Sequence, residues 1–273
     1  MKVSVIMAVY NNYSKEILIE AIESILNQTY KNIELIICDD CSVDNTYEIL
    51  DIISKKDSRI KLLMNHINQK AGGARNRCIE VSTGEYIAIM DSDDISNPNR
   101  IRKQVDFLNN NMQYGFVGTK GIQFNGFKEN VIGEYWFCEK PEKKDFLITL
   151  PFVHASLMFR RNVIKDVGGY SEKKNAERSE DYDMLLRMYE KKFRGFNINE
   201  ELYFIREDDN AIKRRKYKYR FNESYVKFKG FNGLGLMPKG FIYAIKPIVV
   251  GLIPNKILYI IKNKYYAYLK KGH

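Results

Sequence analysis

The sequence is poor in the residues on which several large classes of protein chemistry depend. Three histidines, His66, His154 and His273, are too few for a His-rich zinc centre. The four cysteines, Cys38, Cys41, Cys78 and Cys138, come without a secretory leader and read as reduced thiols. Cys38-Asp39-Asp40-Cys41 has the spacing of half a redox or zinc motif, with no second pair to complete it. The opening run Val3-Ser4-Val5-Ile6-Met7-Ala8 is too short and wrongly flanked for a signal peptide. Long apolar runs are missing too. The most apolar stretch, residues 241–261, is interrupted by Lys246, Pro247, Pro254, Asn255 and Lys256, whereas a spanning helix needs roughly 20 apolar residues in succession. No GxGxxG follows the first apolar run and no GxxxxGK[ST] occurs. A dinucleotide-binding oxidoreductase and a P-loop NTPase therefore lack their phosphate turns.

Acidic residues are scarce at one end. Residues 213–273 contain 15 Lys and Arg but a single acid, Glu223, a net charge of +14, while the other 212 residues carry −4. An acidic body with a basic tail points to a polyanionic partner, either nucleic acid or an anionic membrane face. The 45% hydrophobic content of the 273 residues supports a sizeable core, and excludes a disordered or collagen-like chain.

What is present is an alternation of strand and helix signals. Apolar runs at 3–8, 33–38, 60–64 and 86–90 read as strands. Between them lie helical patterns: one after Ser14 carrying Ile17, Leu18, Ala21, Ile22, Ile25 and Leu26, one over 46–53 and one over 73–81. Asn97 followed by Pro98 predicts a cap and first-turn proline for a helix over 98–110. This order predicts an α/β fold, a Rossmann-like, mostly parallel sheet with helices on both faces. Ligands of such sheets bind beyond the carboxyl ends of the strands.

Polar clusters sit at three of those ends: Val9-Tyr10-Asn11-Asn12, Asp39-Asp40-Cys41-Ser42-Val43-Asp44-Asn45-Thr46, and Asp91-Ser92-Asp93-Asp94. Two acidic clusters on one sheet edge repel each other unless a cation or hydrogen-bond donors neutralise them. They are either solvated loops with acidic helix caps or a site for a charged ligand. Gly72-Gly73 opens a helix containing Arg75, and such a helix start can help hold an anion. With histidine scarce, the chemistry falls to carboxylates, a hard metal ion, or both.

Over roughly residues 1–212 the sequence resembles the family 2 glycosyltransferases of GT-A fold. The resemblance is carried by VSVIMAVYNN, SILNQTY, DDCSVDNT, GGARNRCIEVSTGEYIAIMDSDD, HASLMFRR, GGY and SEDYDMLLRM, in that order. It implies a GT-A domain over 1–212 and an inverting transferase of the bacterial surface-polysaccharide type. Ala8 and Tyr10 at the first strand end and Asp40 would hold the nucleotide, Tyr10 stacking on a uracil-like ring and Asp40 accepting its N3–H. Asp91-Ser92-Asp93 resembles the DxD element. Asp93 would ligate Mn²⁺ or Mg²⁺ directly, Asp91 would serve the metal from near the ribose or a metal-bound water, Ser92 would be among the residues binding the nucleotide sugar, and Asp94 would face the donor sugar. Arg75 would assist at the phosphates or brace this loop. Asp181 would be the general base for an acceptor hydroxyl, ionised by its place at a helix start, with Glu180 orienting the acceptor. His154 matches a common histidine near the site floor, either ligand-facing or a satisfied core residue. Relatives often carry a histidine after the last body strand; here either Asp208 replaces it as a metal ligand or the metal leans on diphosphate and water instead.

Residues 213–231, KRRKYKYRFNESYVKFKGF, interleave basic and aromatic side chains, which suits single-stranded nucleic acid or an anionic membrane interface. The apolar run that follows favours the membrane and argues against nucleic acid. The combined expectation is a metal-dependent glycosyltransferase on the inner, cytoplasmic face of the cell membrane. It would move a hexosyl or N-acetylhexosaminyl group from a nucleoside diphosphate, most simply UDP, to a lipid-linked or oligosaccharide acceptor. The tail, 213–273, would be a basic amphipathic, helical, membrane-associating region, or else a helical appendage packed on the body. Rival readings are a non-catalytic nucleotide-sugar-binding scaffold and a nucleic-acid-binding protein.

Overall fold

The computed structural model describes residues 1–12, 14–207 and 216–252. Its first half follows the alternation in the sequence: β1 (Val3–Val9), α1 (Lys15–Leu26), β2 (Ile33–Asp39), α2 (Thr46–Ser54), β3 (Ile60–Met64), α3 (Lys70–Val81) and β4 (Tyr86–Asp91). These strands lie side by side in the order β3-β2-β1-β4, all parallel. Ser14 caps α1, its hydroxyl accepting from the Ile17 N–H. That bond satisfies one of the donors that a helix start leaves open.

The second half contains β5 (Ile95–Ser96), α4 (Arg100–Asn110), β6 (Phe116–Phe124), β7 (Val131–Glu134), β8 (Met158–Arg160), α5 (Arg161–Asp166), α6 (Glu180–Glu190) and β9 (Gly195–Arg206). It extends the sheet as β4-β8-β6-β9-β5, with β7 on β6. Here β8, β5 and β7 run antiparallel to their neighbours, while β6 and β9 are parallel. The helix expected over 98–110 begins two residues later, at Arg100, with Asn99 rather than Asn97 at its cap. Ile95 and Ser96 are held as a strand against Phe204 and Tyr203. The chain must therefore turn before it can coil, and the Asn97 carbonyl takes the Arg100 N–H in that turn.

Neighbouring residues of β1 feed two cores. Ile6 joins Ala74, Ile89, Phe159, Leu185 and Met188 on the face covered by α3, α5 and α6. Val5 and Met7 join Leu18, Ile22, Leu50, Ile101 and Val105 on the face covered by α1, α2 and α4. Each such buried aliphatic side chain contributes roughly 1.5–3 kcal/mol, so both faces specify the register of the central strands.

Two further helices, α7 (Lys218–Gly233) and α8 (Gly240–Gly251), follow the last strand. Val226, Phe231, Leu234 and Ala244 are buried in the same core as α6. The approach is close at Gly230, where an added Cβ would lie 2.4 Å from Leu186 Cδ1. This stretch of the basic tail is thus packed on the body. It is also not amphipathic in the expected one-sided sense, because Phe221, Tyr225 and Phe228 are exposed on the side away from Val226 and Phe231. Lys227, counted with the tail's cations, is buried and paired with Glu223. Among the described residues no helix is long and apolar enough to cross a membrane. The expected boundary at 212/213 lies outside the described residues.

Candidate active site

The ends of β1 and β2 are knitted together by short polar side chains. The Asn11 N–H donates to Ser42 Oγ (3.0 Å), the Val43 N–H to Asn11 Oδ1 (2.9 Å), and the Asn12 N–H to Thr46 Oγ1 (2.9 Å). Asn11 and Cys41 have φ of +46° and +63°, a left-handed backbone that few residues other than glycine and asparagine adopt readily. Ala8 lies in register between Cys38 of β2 and Asp91 of β4. Tyr10 leaves the strand with 51% of its surface exposed, so its ring is open to a ligand. Asp40 is buried beside it, where Oδ1 accepts from Asn65 Nδ2 and the Gln69 N–H, each at 2.8 Å. Burial raises its pKa despite these donors. Both of these bonds reach one oxygen, and the Lys70 N–H is a further backbone donor to the carboxylate.

Asp91 ends β4 and Asp93 is exposed in the turn after it. Ser92 is tied to the β1 loop, its carbonyl accepting from Asn12 Nδ2 (3.4 Å). Asp94 behaves differently from its neighbours. It is buried, and its Oδ1 accepts the Arg206 N–H (2.9 Å). Burial, and then the charges of Asp93 and Asp91, push its pKa well above the usual carboxylate range. A side chain expected at the donor sugar is thus joined to the backbone of β9, whose Arg206 also donates to the Asp93 carbonyl (3.0 Å).

Arg75 of α3 is 9% exposed and forms a 2.6 Å ion pair with Asp91. Burial opposes its charge, but Asp91, Tyr170 and Glu180 outweigh that effect and raise its pKa. Its guanidinium lies 5.6 Å from the Tyr170 ring centroid, while Nε has no hydrogen-bond partner. The ion pair ties α3 to the end of β4.

Glu180 and Asp181 form the first turn of α6. Glu180 packs against α3 at Gly72, where a Cβ would lie 3.4 Å from Glu180 Cγ and from Tyr170 Cβ, an ordinary contact. The helix start alone would keep Asp181 readily ionised, as the sequence suggests. Instead its pKa is raised to about 6, by burial first and the Glu180 charge second, against the Tyr182 N–H and Arg75. Desolvation outweighs the helix dipole here. Asp183 is committed elsewhere, gripping Arg187 Nε at 2.7 Å.

His154 bonds Tyr170 Oη through Nε2 (2.9 Å). Burial and the Arg75 charge lower its pKa to about 3, so it is neutral. Tyr170, not singled out from the sequence, links these groups. Asn76 holds its backbone at both N–H and C=O (2.8 and 2.9 Å), and Arg187 donates to the Gly169 carbonyl (2.7 Å). Arg100 and Tyr203 were missed in the same way. Arg100 is wholly buried, donates to the Ile89 carbonyl (3.0 Å) and lies 5.0 Å over the Tyr203 ring. The Tyr203 hydroxyl in turn accepts the Asp91 N–H (3.1 Å). A signal existed for Arg100: it shares a helix face with Gln104, beside the apolar stripe Ile101, Val105 and Leu108.

Residues 4–168 match the model of the glycosyl transferase family 2. The chain belongs to this family. Family 2 relatives extend over nearly its whole length. It is 38% identical over 266 residues, 97% of this chain and 93% of the other, to the putative glycosyltransferase EpsE of Bacillus subtilis (strain 168). It is 31% identical over 228 residues, 82% and 84% of the two chains, to WfaP of Escherichia coli, a UDP-Glc:alpha-D-GlcNAc-diphosphoundecaprenol beta-1,3-glucosyltransferase. Among solved structures, S. aureus TarS 1-349 in complex with UDP-GlcNAc superposes with a TM-score of 0.68 at 20% identity, covering 92% of this chain and 72% of that one. A mannosyltransferase from Pyrobaculum calidifontis in complex with GDP-Man and Mn²⁺ gives 0.62 at 16% identity, covering 98% and 80%. These likenesses establish the GT-A fold of this family 2 glycosyltransferase.

The residues fit a hard divalent cation by donor chemistry, since the repulsion that Asp94 feels from Asp91 and Asp93 marks negative charge gathered there. Among the described residues no group of three ligating side chains is formed. Asp208, expected as a further ligand, lies outside the described residues.

Proposed function

We propose that this glycosyltransferase moves a sugar, with inversion, from UDP to a hydroxyl of a lipid-linked saccharide, working at an anionic membrane face. The observation that carries the reading is the pairing of two chemically different carboxylate environments. Asp91 is ion-paired with Arg75, as suits an acid that must also face a cation. Asp181, near the same arginine, is held at about 6, as suits a base that must take a proton near neutral pH. Tyr10 and Asp40 serve as the uracil clamp, a stacking face beside an acceptor for N3–H. A cation held by Asp91 and Asp93 would neutralise the charge growing on the departing diphosphate. Asp181 takes the acceptor proton, and Glu180 both orients the acceptor and keeps the base strong. Arg75 fixes Asp91, and through Tyr170 and His154 supports the floor.

The UDP-glucose and diphosphoundecaprenol in the name of WfaP, and the UDP-GlcNAc bound to TarS, support the donor and the lipid-linked acceptor. The Mn²⁺ of the mannosyltransferase complex supports the cation. The exposed Phe221, Tyr225 and Phe228 on α7, with Phe241, Ile242, Val249 and Leu252 on and just after α8, support a surface for a bilayer interface among the tail's lysines. The deciding experiment measures nucleoside diphosphate release from a panel of UDP-, dTDP- and GDP-sugars with Mn²⁺ and undecaprenyl-linked saccharides. Release from UDP donors is expected; turnover of a GDP-sugar with none of the UDP forms overturns the donor assignment.

A further inference from the structure

α7 touches the body at a point that matters for the base. Tyr219 Oη donates to Glu177 Oε1 (3.0 Å), and Asn222 Nδ2 lies 3.1 Å from the carbonyls of both Lys174 and Glu177. Further along the helix, the buried Lys227 pairs with Glu223 (2.9 Å) and lies 5.3 Å from the ring centroid of Tyr182, the residue after Asp181. Between these contacts runs a short segment: a 3-10 turn at Lys174–Ala176, then Glu177, Arg178 and Ser179, then α6.

The segment is held in part by its own turns, the Ser179 N–H on the Ala176 carbonyl (2.8 Å), and by the Ala176 side chain buried in the core. Arg178 sits at φ +67°, a conformation that a residue with a Cβ keeps only when its surroundings impose it. Ser179 occupies the N-cap of α6 without a side-chain cap bond. The helix start it delivers places Glu180 next to Asp181, two carboxyls that repel each other. The polar contacts from α7 add to this hold, meeting the backbone at Lys174 and again at Glu177.

We propose that Tyr219 and Asn222 are positioning residues: α7 clamps residues 174–179 and so sets the Glu180–Asp181 turn against α3. The kinetic meaning of the clamp rests on the reading of Asp181 as the base; the clamp itself does not. It gives the C-terminal helix a share in turnover.

The segment and its approach carry tryptic sites, Lys173, Lys174 and Arg178. In a full-length Tyr219→Phe/Asn222→Ala variant, native-state trypsin should nick there about tenfold faster, because lost hydrogen bonds of ordinary strength raise the open population by that order. The buried contacts of Val226 and Phe231 are untouched, so the protein should still melt cooperatively, lower by only a few degrees. UDP release from UDP-glucose should fall roughly tenfold in kcat, with donor KM and UDP affinity unchanged, and Asn222→Gln, which keeps the amide donor, should lose least. Nicking at the wild-type rate overturns the proposal, as does faster nicking with an unaltered kcat. If the wild-type protein turns over no UDP-sugar, the functional reading fails separately, and the nicking rate alone decides the clamp.

Discussion

Asp181 is where burial and charge oppose each other most plainly. A carboxyl held near 6 rather than near 3.9 binds a proton in the folded state that the unfolded chain has already released. The folded state is therefore favoured below about pH 4, and that advantage is lost as pH rises through 6. Ionised Asp181 costs up to about 3 kcal/mol at neutral pH. Asp181→Asn should consequently raise the melting temperature at pH 7.5 but not at pH 4, while lowering turnover by ~10²–10⁴. Rate should climb with pH about a midpoint near 6. A variant with near-normal turnover would falsify the base assignment. Asp93→Ala tests the cation: turnover and Mn²⁺-dependent UDP binding should be lost with the fold intact, since the residue is exposed in a turn. Full activity in excess chelator removes the metal from the mechanism. At the nucleotide end, Asp40→Asn keeps the shape but offers N3–H a competing donor. UDP affinity, read by calorimetry, should drop by about tenfold, the cost of one buried hydrogen bond.

At the scale of elements, α6 and α7 are brought together more closely than ordinary side chains permit. Gly230 admits Leu186 against α7, whereas Gly72 meets Glu180 and Tyr170 at ordinary contact distance. Gly230→Ala should be destabilising by about 1–3 kcal/mol, the usual cost of overpacking, even though alanine is the better helix former. Chemical denaturation reads this directly; an unchanged or raised midpoint means α7 is free to move away from α6. Because α7 and α6 share a core, removing the tail from residue 213 onward strips cover from Leu186. Point changes on α7 separate its roles better than truncation does.

For the whole molecule, one face of the α7–α8 pair is turned to the body and the other shows aromatic and aliphatic side chains to solvent. Changing Phe221, Tyr225 and Phe228 together to Ser should abolish flotation with anionic vesicles at moderate salt and leave UDP binding intact. Basic residues near such a surface contribute ~1 kcal/mol each, so wild-type flotation should weaken as salt rises. Equal flotation of both forms assigns that face to something other than a bilayer.

The strand–helix alternation up to β4 was legible because both faces of the central strands are buried, which forces unbroken apolar runs such as Val5–Met7 and Leu35–Ile37 to be written into the chain. The acidic strand ends were legible too, since a parallel sheet sends its loops to one edge. The second half of the sheet was not: β8 and β5 are three and two residues long, too short for a period to show. Nor did local pattern reveal Tyr170 or Tyr203, whose bonds to His154 and Asp91 reach across 16 and 112 residues of chain. Local pattern predicted an easily ionised Asp181 and an amphipathic tail. Desolvation by elements distant in sequence decided the first, and burial of Val226, Lys227 and Phe231 against the body decided the second. Both are energies of surroundings, which exist only once the chain has folded.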